Sequence, residues 1–136
     1  MADKFAGLYK LESNDNFDEY MKKIGVNFAL RKLALATNNN IEFIVDGDNL
    51  TIKTTSTVRN SEVKCKLNEQ FEETTMDGRK CNTTFFVEDG KLVQRQIASK
   101  AGEKNSDIIR ELDDKNNIVV RCICEDVEAK RYYVRQ

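Results

Sequence analysis

The chain has 136 residues, 33% of them charged and 40% apolar, with 22 basic and 23 acidic side chains and a net charge of -1. This composition excludes a disordered chain and argues against a surface that binds nucleic acid as a whole. The absence of His excludes His-dependent triads and His metal clusters. At this length we expect a single domain over residues 1–136. Because no apolar run approaches about 18 residues and no signal pattern opens the chain, we expect it in the cytoplasm.

The N-terminal part predicts one strand, in AGLYKLES, followed by two short helices. Four apolar side chains at helical spacing predict the first helix: Phe17, Tyr20, Met21 and Ile24. Asn16 stands in the N-cap position before this helix, and Gly25 interrupts it. Three apolar side chains share a face of the second helix: Leu30, Leu33 and Ala34. The prediction is a helix–turn–helix over about residues 16–37.

After residue 40, turn signals recur at short and even intervals. Nine runs rich in Ile, Val, Thr and Phe lie between them: IEFIVD, LTIKTTST, EVKCKL, QFEETT, CNTTFFVE, LVQRQI, DIIREL, IVVRCIC and DVEAKRYYV. Closely spaced strands with no helix between them favour an antiparallel meander. Closing the meander into an up-and-down barrel would remove its exposed edge strands.

Two arginines stand in otherwise apolar rows of the predicted strands. Side chains alternate along a strand, so Arg110 in DIIREL shares a face with Ile108, and Arg131 in the last strand shares a face with Tyr133. If the apolar rows face inward, Arg110 and Arg131 point into the barrel and Arg121 points outward.

A guanidinium in an apolar cavity is costly unless it is paired or hydrated. The inward rows of the last three strands contain no Asp or Glu. The missing anion could be a ligand carboxylate held by Arg131, with the Tyr133 hydroxyl and water at Arg110. On the residues alone, two alternatives stay open: an acid on another strand, or a register shifted by one residue.

The four cysteines are expected to be thiols that pack in the core or against a cavity. Cys122 and Cys124 lie two apart on one strand face, a geometry that suits a disulfide poorly, and no Cys pair has zinc-site spacing. Cys81, beside Lys80, is the only candidate for an activated thiol, so an enzyme is a remote alternative.

Basic residues cluster on the predicted helix pair: Lys22, Lys23, Arg31 and Lys32. Such a cluster is usually a solvated face. The functional alternative is a docking patch for an anionic membrane or for another protein.

Four segments resemble the intracellular lipid-binding proteins, the fatty acid-binding protein family: NFDEYMKKIGVNFALRK, DGDNLTIKTTSTVRNSE, FEETTMDGRKC and RYYVRQ. The likeness is colinear over essentially the whole chain. It implies an all-β, ten-stranded antiparallel up-and-down β-barrel of the calycin (lipocalin-like) superfamily, capped by a helix–turn–helix lid. It also implies a monomeric carrier, not an enzyme, with no cofactor and no metal.

Within that family, the likeness is strongest to cellular retinoic acid-binding proteins, on Val58-Arg59, DGRKC and the YVR ending. It implies that retinoic acid is the ligand, with its carboxylate held by Arg110, Arg131 and Tyr133. The alternative is a long-chain fatty acid, favoured by Ile108, where retinoic acid-binding relatives have Trp. The pocket positions that the resemblance implies are Phe17, Leu30, Thr54, Ser56, Val58, Arg59, Met76 and Cys122.

The resemblance also suggests a role for three members of the basic cluster. Lys22, Arg31 and Lys32 match a helix surface that retinoic acid-binding relatives use for nuclear import and delivery to a receptor. The expected partners are therefore the ligand itself and, in transient contacts, anionic membranes or a nuclear receptor. The expected location is the cytoplasm, extending to the nucleus.

Overall fold

The computed structural model describes residues 2–136. A short 3-10 helix over Asp3–Phe5 precedes the first strand, and two α-helices, α1 (Phe17–Ile24) and α2 (Phe28–Ala36), lie between the first two strands. The ten strands are β1 (Gly7–Asp15), β2 (Asn39–Asp46), β3 (Asn49–Ser56), β4 (Ser61–Lys66), β5 (Phe71–Thr74), β6 (Lys80–Glu88), β7 (Lys91–Ala98), β8 (Ser106–Leu112), β9 (Ile118–Cys124) and β10 (Val127–Arg135).

The strands form one antiparallel sheet that curls into a barrel. Its order is β4-β3-β2-β1-β10-β9-β8-β7-β6-β5, so the first strand pairs with the last and β4 and β5 are the two edge strands. The predicted all-β, ten-stranded antiparallel barrel with a helix–turn–helix is confirmed.

Because successive strands are antiparallel, their connections alternate between the two ends of the barrel. We call one end the helix end: it carries α1 and α2 and the β3–β4, β5–β6, β7–β8 and β9–β10 connections. The opposite end, which we call the closed end, carries the other hairpin turns and the start of β1.

The closed end is filled with apolar side chains. Five side chains there are almost completely buried: Phe5, Tyr9, Leu50, Leu92 and Ile118. The Tyr9 hydroxyl is satisfied, because it donates to the main-chain oxygen of Phe5 at 2.9 Å. Removing these side chains from water stabilises the closed end of the barrel.

Arg135 fastens the two termini together at the closed end. Its guanidinium donates to the main-chain oxygens of Lys4, Ala6 and Asn116 at 2.8 to 3.0 Å. Gly7 allows this approach: its φ is +138°, and a Cβ there would lie 2.7 Å from Arg135 Nη1. A residue with a side chain at position 7 would therefore be strained and would displace the guanidinium.

The helices follow the predicted pattern with one correction. The α1 stripe is buried at Tyr20, Met21 and Ile24, and Gly25 ends the helix at a φ of 103°. Asn16 was predicted as a side-chain N-cap, which is wrong: it has a φ of 62° and donates instead to the main-chain oxygen of Glu128 at 3.0 Å.

The second helix is capped but exposed. Asn27 Oδ1 accepts from the Leu30 N–H at 3.0 Å, which satisfies one free donor of the first turn of α2. None of the nine residues of α2, all within the described part of the chain, is buried. In residues 2–136, neither helix has the length and hydropathy that a membrane crossing needs.

Candidate functional site

A cavity of about 360 Å³ lies between the helices and the inner face of the barrel. Its wall contains side chains from α1, α2 and nine of the ten strands, all except β1. All eleven residues predicted for the carboxylate site and the pocket lie around it: Phe17, Leu30, Thr54, Ser56, Val58, Arg59, Met76, Arg110, Cys122, Arg131 and Tyr133. The predicted inward rows are therefore confirmed, and a shifted register is excluded.

Arg131 and Tyr133 present polar groups from the same face of β10. Arg131 Nε donates to Asn14 Oδ1 at 2.8 Å, and its guanidinium carbon lies 4.1 Å from the centre of the Phe17 ring. The Tyr133 hydroxyl donates to Asn39 Oδ1 at 2.8 Å. Burial raises the pKa of Tyr133, although the two nearby arginines oppose it, so the hydroxyl stays protonated at neutral pH.

Arg110, on β8, is the most deeply placed cation of the cavity. Its side chain belongs to a residue that is only 8% exposed, and burial lowers its pKa from the ordinary value. Arg110 Nη2 donates to Gln94 Oε1 at 2.9 Å. Within residues 2–136, however, its buried Nη1 has no hydrogen-bond partner. An unpaired N–H on a buried cation is a site for an anion.

Sequence reasoning missed a buried carboxylate, Glu73 on β5. It accepts four hydrogen bonds from three side chains: Thr83 at 2.7 Å, Gln94 at 3.0 Å to each oxygen, and Gln96 at 3.1 Å. Glu73 lies on β5, outside the last three strands, whose inward rows contain no acid. The alternation of side chains along β5 could have indicated that Glu73 points inward, because Glu73 shares a face with the half-buried Phe71 and with Thr75.

One alternative left open by the sequence was that an acid on another strand pairs with an inward arginine. Glu73 is such an acid, but its link to Arg110 is indirect. It does not contact Arg110 directly, because Gln94 lies between them, donating to the carboxylate and accepting from the guanidinium. This Glu73–Gln94–Arg110 chain, which we call the Gln94 relay, holds one side of the Arg110 guanidinium in place and leaves Nη1 without a partner in residues 2–136.

An ion pair between Arg79 and Asp77 lies in the cavity wall at the helix end. Arg79 Nε donates to Asp77 Oδ2 at 2.7 Å, and Thr75 Oγ1 donates to Asp77 Oδ1 at 2.6 Å. Burial by itself would raise the Asp77 pKa, but these hydrogen bonds outweigh it and hold the pKa below its ordinary value. The two charges neutralise each other, so this turn adds no net charge to the cavity. Asp77, Gly78 and Arg79 lie in the turn that connects β5 to β6.

The remaining pocket residues form the rim at the helix end. The Ser56 hydroxyl is engaged within the β3–β4 turn, donating to Arg59 O and accepting from the Val58 and Arg59 N–H groups. Arg59 Nη1 donates to Met76 O and so ties this turn to the β5–β6 turn. Val58 and Met76 are both exposed, so the rim presents two apolar side chains to solvent.

All four cysteines are free thiols, as predicted. Burial raises the pKa of Cys122 to about 11, although Arg131 and Arg110 oppose it. Burial likewise raises the pKa of Cys81, which is the opposite of thiol activation. In residues 2–136, no group of three His, Cys, Asp or Glu side chains could hold a metal ion.

The basic cluster on the helices does not form one exposed patch. Arg31 is 15% exposed, donates to Asp18 at 3.0 Å and also donates to Val26 O at 2.8 Å. Lys23 pairs with two acids of the β9–β10 turn. Arg31 is therefore half-buried and engaged within the helix pair, whereas Lys22 and Lys32 are the exposed members of the cluster.

Comparison with known proteins gives a consistent result over almost the whole chain. Residues 6–135 match the model of the lipocalin/cytosolic fatty-acid binding protein family. A fatty acid-binding protein of Tyrophagus putrescentiae is 47% identical over 131 residues, 96% of each chain.

Two solved structures agree with that match. Lipid binding protein 8 of Caenorhabditis elegans, in its apo form, has a TM-score of 0.94 at 30% identity, covering 100% of this chain and 98% of the other. A Schistosoma mansoni fatty acid binding protein in complex with arachidonic acid has a TM-score of 0.89 at 34% identity, covering 98% and 96%. On the barrel, the cavity and these likenesses, the chain belongs to the lipocalin/cytosolic fatty-acid binding protein family, a family of lipid carriers and not of enzymes.

Proposed function

We propose that this protein binds one long-chain fatty acid in its cavity and transports it, with the carboxylate held by Arg110, Arg131 and, once its hydroxyl turns from Asn39 to the ligand, Tyr133. The observation that carries the proposal is the free Nη1 of Arg110, a buried cationic donor without an acceptor in residues 2–136. A ligand carboxylate would supply that acceptor by a charge-assisted hydrogen bond.

The charges of the cavity support an acid over an alcohol. The four hydrogen bonds to Glu73 come from neutral side chains, so they do not cancel its charge, and Gln94 connects it to Arg110; Asp77 is paired with Arg79. Glu73, Arg110 and Arg131 together therefore leave one positive charge in the cavity wall. An alcohol would leave that charge uncompensated, whereas a carboxylate neutralises it and is attracted by both arginines.

The comparisons support a fatty acid over the retinoic acid that the sequence motifs first indicated. The relative from Tyrophagus putrescentiae is named a fatty acid-binding protein, and the structure from Schistosoma mansoni contains arachidonic acid. Ile108, an aliphatic residue next to Arg110 in the cavity wall, is compatible with a flexible acyl chain. The alternative favoured by Ile108 in the sequence is therefore the main proposal, and retinoic acid is the competitor in its test.

The test is a competition titration on delipidated protein loaded with a fluorescent fatty acid. We expect oleate to displace the probe at least as well as retinoate and roughly 10- to 100-fold better than oleyl alcohol, since a hydrogen bond to a charged group contributes about 1.5–3 kcal/mol. Arg131→Gln should remove most of the difference between acid and alcohol. Arg121→Gln is the matched control, because Arg121 lies on the outer face and pairs with Glu128.

The outcomes separate the possible ligands. Retinoate displacing the probe tenfold better than oleate would make retinoic acid the ligand. Equal displacement by oleate and oleyl alcohol would overturn the arginine anchor. Failure of every lipid to displace or bind would overturn the carrier function itself.

We further propose that Lys22 and Lys32 guide the helix end to its delivery partner, an anionic membrane or a nuclear receptor. Both lysines are exposed, on neighbouring helices, and each lysine near an anionic surface contributes about 1 kcal/mol. The double change Lys22→Gln, Lys32→Gln should slow ligand transfer to anionic vesicles several-fold and lower the nuclear fraction, with ligand affinity unchanged. Unchanged transfer and unchanged nuclear fraction would make these lysines ordinary solvated charges.

A further inference from the structure

We propose that the cavity has a second polar subsite, centred on Gln96 Oε1, that binds a hydroxyl group on the ligand's chain. The ligand class that fits both sites is the mid-chain hydroxy fatty acids. This inference rests on the proposed function, because the carboxylate of the same molecule would occupy the arginine anchor.

The orientation of the Gln96 amide is determined by Glu73. Gln96 Nε2 donates to Glu73 Oε1 at 3.1 Å. If the amide were turned over, its oxygen would face a carboxylate oxygen, and two acceptors would meet. The Gln96 carbonyl oxygen must therefore point away from Glu73.

That oxygen has no partner. Gln96 is 4% exposed and lies in the cavity wall, and within residues 2–136 its Oε1 is buried without a hydrogen-bond donor. A buried acceptor left unpaired is unfavourable by about 1–3 kcal/mol. The group that satisfies it must carry an O–H or N–H.

The neighbouring hydroxyl groups have no hydrogen left to give. Thr83 and Ser106 are the residues opposite Gln96 on the two adjacent strands. Thr83 donates to Glu73. Ser106 donates to Ile123 O at 3.1 Å, so in the Tyr20–Ser106 hydrogen bond the hydrogen comes from Tyr20. Each hydroxyl hydrogen around Gln96 is thus already engaged.

Among the fully buried side-chain atoms of residues 2–136, one donor and one acceptor lack a partner, Arg110 Nη1 and Gln96 Oε1. Arg110 is anchored at Gln94, and Gln96 lies two residues further along β7, or about 7 Å at the usual strand rise. A ligand whose carboxylate reaches Arg110 would thus pass Gln96 with the middle of its chain. A hydroxyl at that position supplies the missing hydrogen.

The first test varies the ligand and leaves the protein unchanged. Octadecanoate is compared with its mid-chain hydroxy, methoxy and oxo derivatives and with the ω-hydroxy acid, by displacement of a fluorescent fatty acid. We expect the mid-chain hydroxy acid to bind about five- to tenfold more tightly than octadecanoate. The methoxy and oxo acids accept but do not donate hydrogen bonds, so they should show no gain, and the ω-hydroxy acid should show little.

The second test removes the acceptor. Gln96→Leu should bring the affinity ratio between hydroxy acid and octadecanoate to one or below, while Gln70→Leu, which changes an exposed glutamine, should keep it. Thermal unfolding checks that both variants fold. If Gln96→Leu does not fold, the ligand series on the unchanged protein tests the inference by itself.

The failures are distinguishable. Equal binding of the hydroxy acid and octadecanoate would show that only water occupies Gln96 and would overturn this inference while leaving the fatty acid proposal intact. A gain that the methoxy acid shares would likewise overturn it. If octadecanoate itself does not bind, the proposed function and the subsite fail together.

Discussion

The two ends of the barrel use their side chains in opposite ways. At the closed end, Phe5, Tyr9, Leu50, Leu92 and Ile118 are almost completely buried against one another. At the helix end, α2 buries no residue within the described chain, and Phe28, at 64% exposed, and Leu33, at 44%, meet solvent. The same fold thus has a densely packed half and a half built around a cavity.

The difference shows why stability and binding can be separated in this molecule. The hydrophobic contribution scales with the apolar area that is buried, and the closed end buries large apolar side chains without ligand. The cavity walls lack such contacts until a ligand fills them, and they hold unpaired polar groups that a tightly packed core would not tolerate. We therefore expect the helix end to open at a lower free energy than the closed end.

The largest expected effect compares two leucines. Leu92→Ala at the closed end should lower the free energy of unfolding by about 2–5 kcal/mol, because it leaves a cavity in a packed region. Leu33→Ala on α2 should change it by less than about 0.5 kcal/mol. Urea unfolding of both variants measures the difference, and similar losses would contradict the division into two ends.

The next effect concerns two adjacent glutamates on opposite faces of β5. Glu73→Gln places an amide donor among three donating side chains, so it should destabilise the protein by about 1–3 kcal/mol. Glu72→Gln is the control: its ion pair with Lys80 spans 3.8 Å at the surface, and such pairs contribute about 0–1 kcal/mol. Thermal unfolding of the two variants without ligand tests this, and equal melting temperatures would refute the structural role of the Glu73 network.

A smaller effect depends on pH. Although burial opposes it, hydrogen bonds from Arg79 and Thr75 lower the Asp77 pKa in the folded protein below its ordinary value. The stabilisation is therefore present above the unfolded-state pKa and is lost as the pH falls through the folded-state pKa. Asp77→Asn should therefore be less stable than the parent at neutral pH and should lose less on acidification from about pH 5 to about pH 2. At the closed end, a backbone hydrogen bond from Asn117 lowers the pKa of the exposed Asp113, so Asp113→Asn should show the same trend with a smaller amplitude. Parallel acid curves for Asp77→Asn and the parent would contradict this assignment.

The smallest effect compares two asparagines with left-handed backbones. Asn68, in the β4–β5 turn, has a φ of 68°, and its main-chain N–H donates to Phe85 O at 2.8 Å. Asn68→Gly should keep that bond and stabilise the protein by up to about 0.5 kcal/mol. Asn16→Gly should not, because Asn16 also donates through its side chain to Glu128 O. Chemical unfolding resolves the two, and stabilisation of both would show that the Asn16 side-chain bond contributes nothing.

Much of this architecture follows from patterns of short range. The α1 stripe and the inward rows that contain Arg110 and Arg131 appear as predicted, since helix and strand periods depend on neighbouring residues alone. The Asn16 cap failed because a contact with Glu128, 112 positions away, competes with the local capping bond. The sequence indicated Arg31 as a surface charge, whereas in the fold its guanidinium donates to Asp18 and to the main-chain oxygen of Val26.

The polar lining of the cavity shows where local patterns end. Glu73, Thr83, Gln94 and Gln96 come from three different strands, and their hydrogen bonds span 10 to 23 positions. Each residue by itself is typical of an exposed or half-exposed strand. Their meeting depends on the register of β5, β6 and β7, which no spacing within one strand reports.

By itself, the sequence determined the order of the elements, the faces of the strands, the inward arginines and the free thiols, because side-chain periodicity and composition govern these. Only the tertiary structure decided which groups are satisfied: Glu73 and the Gln94 relay saturate each other, whereas Arg110 Nη1 and Gln96 Oε1 are left without partners in residues 2–136. The physical reason is that a hydrogen bond requires two groups within about 3 Å, and for residues on separate strands that distance is set by the closed barrel.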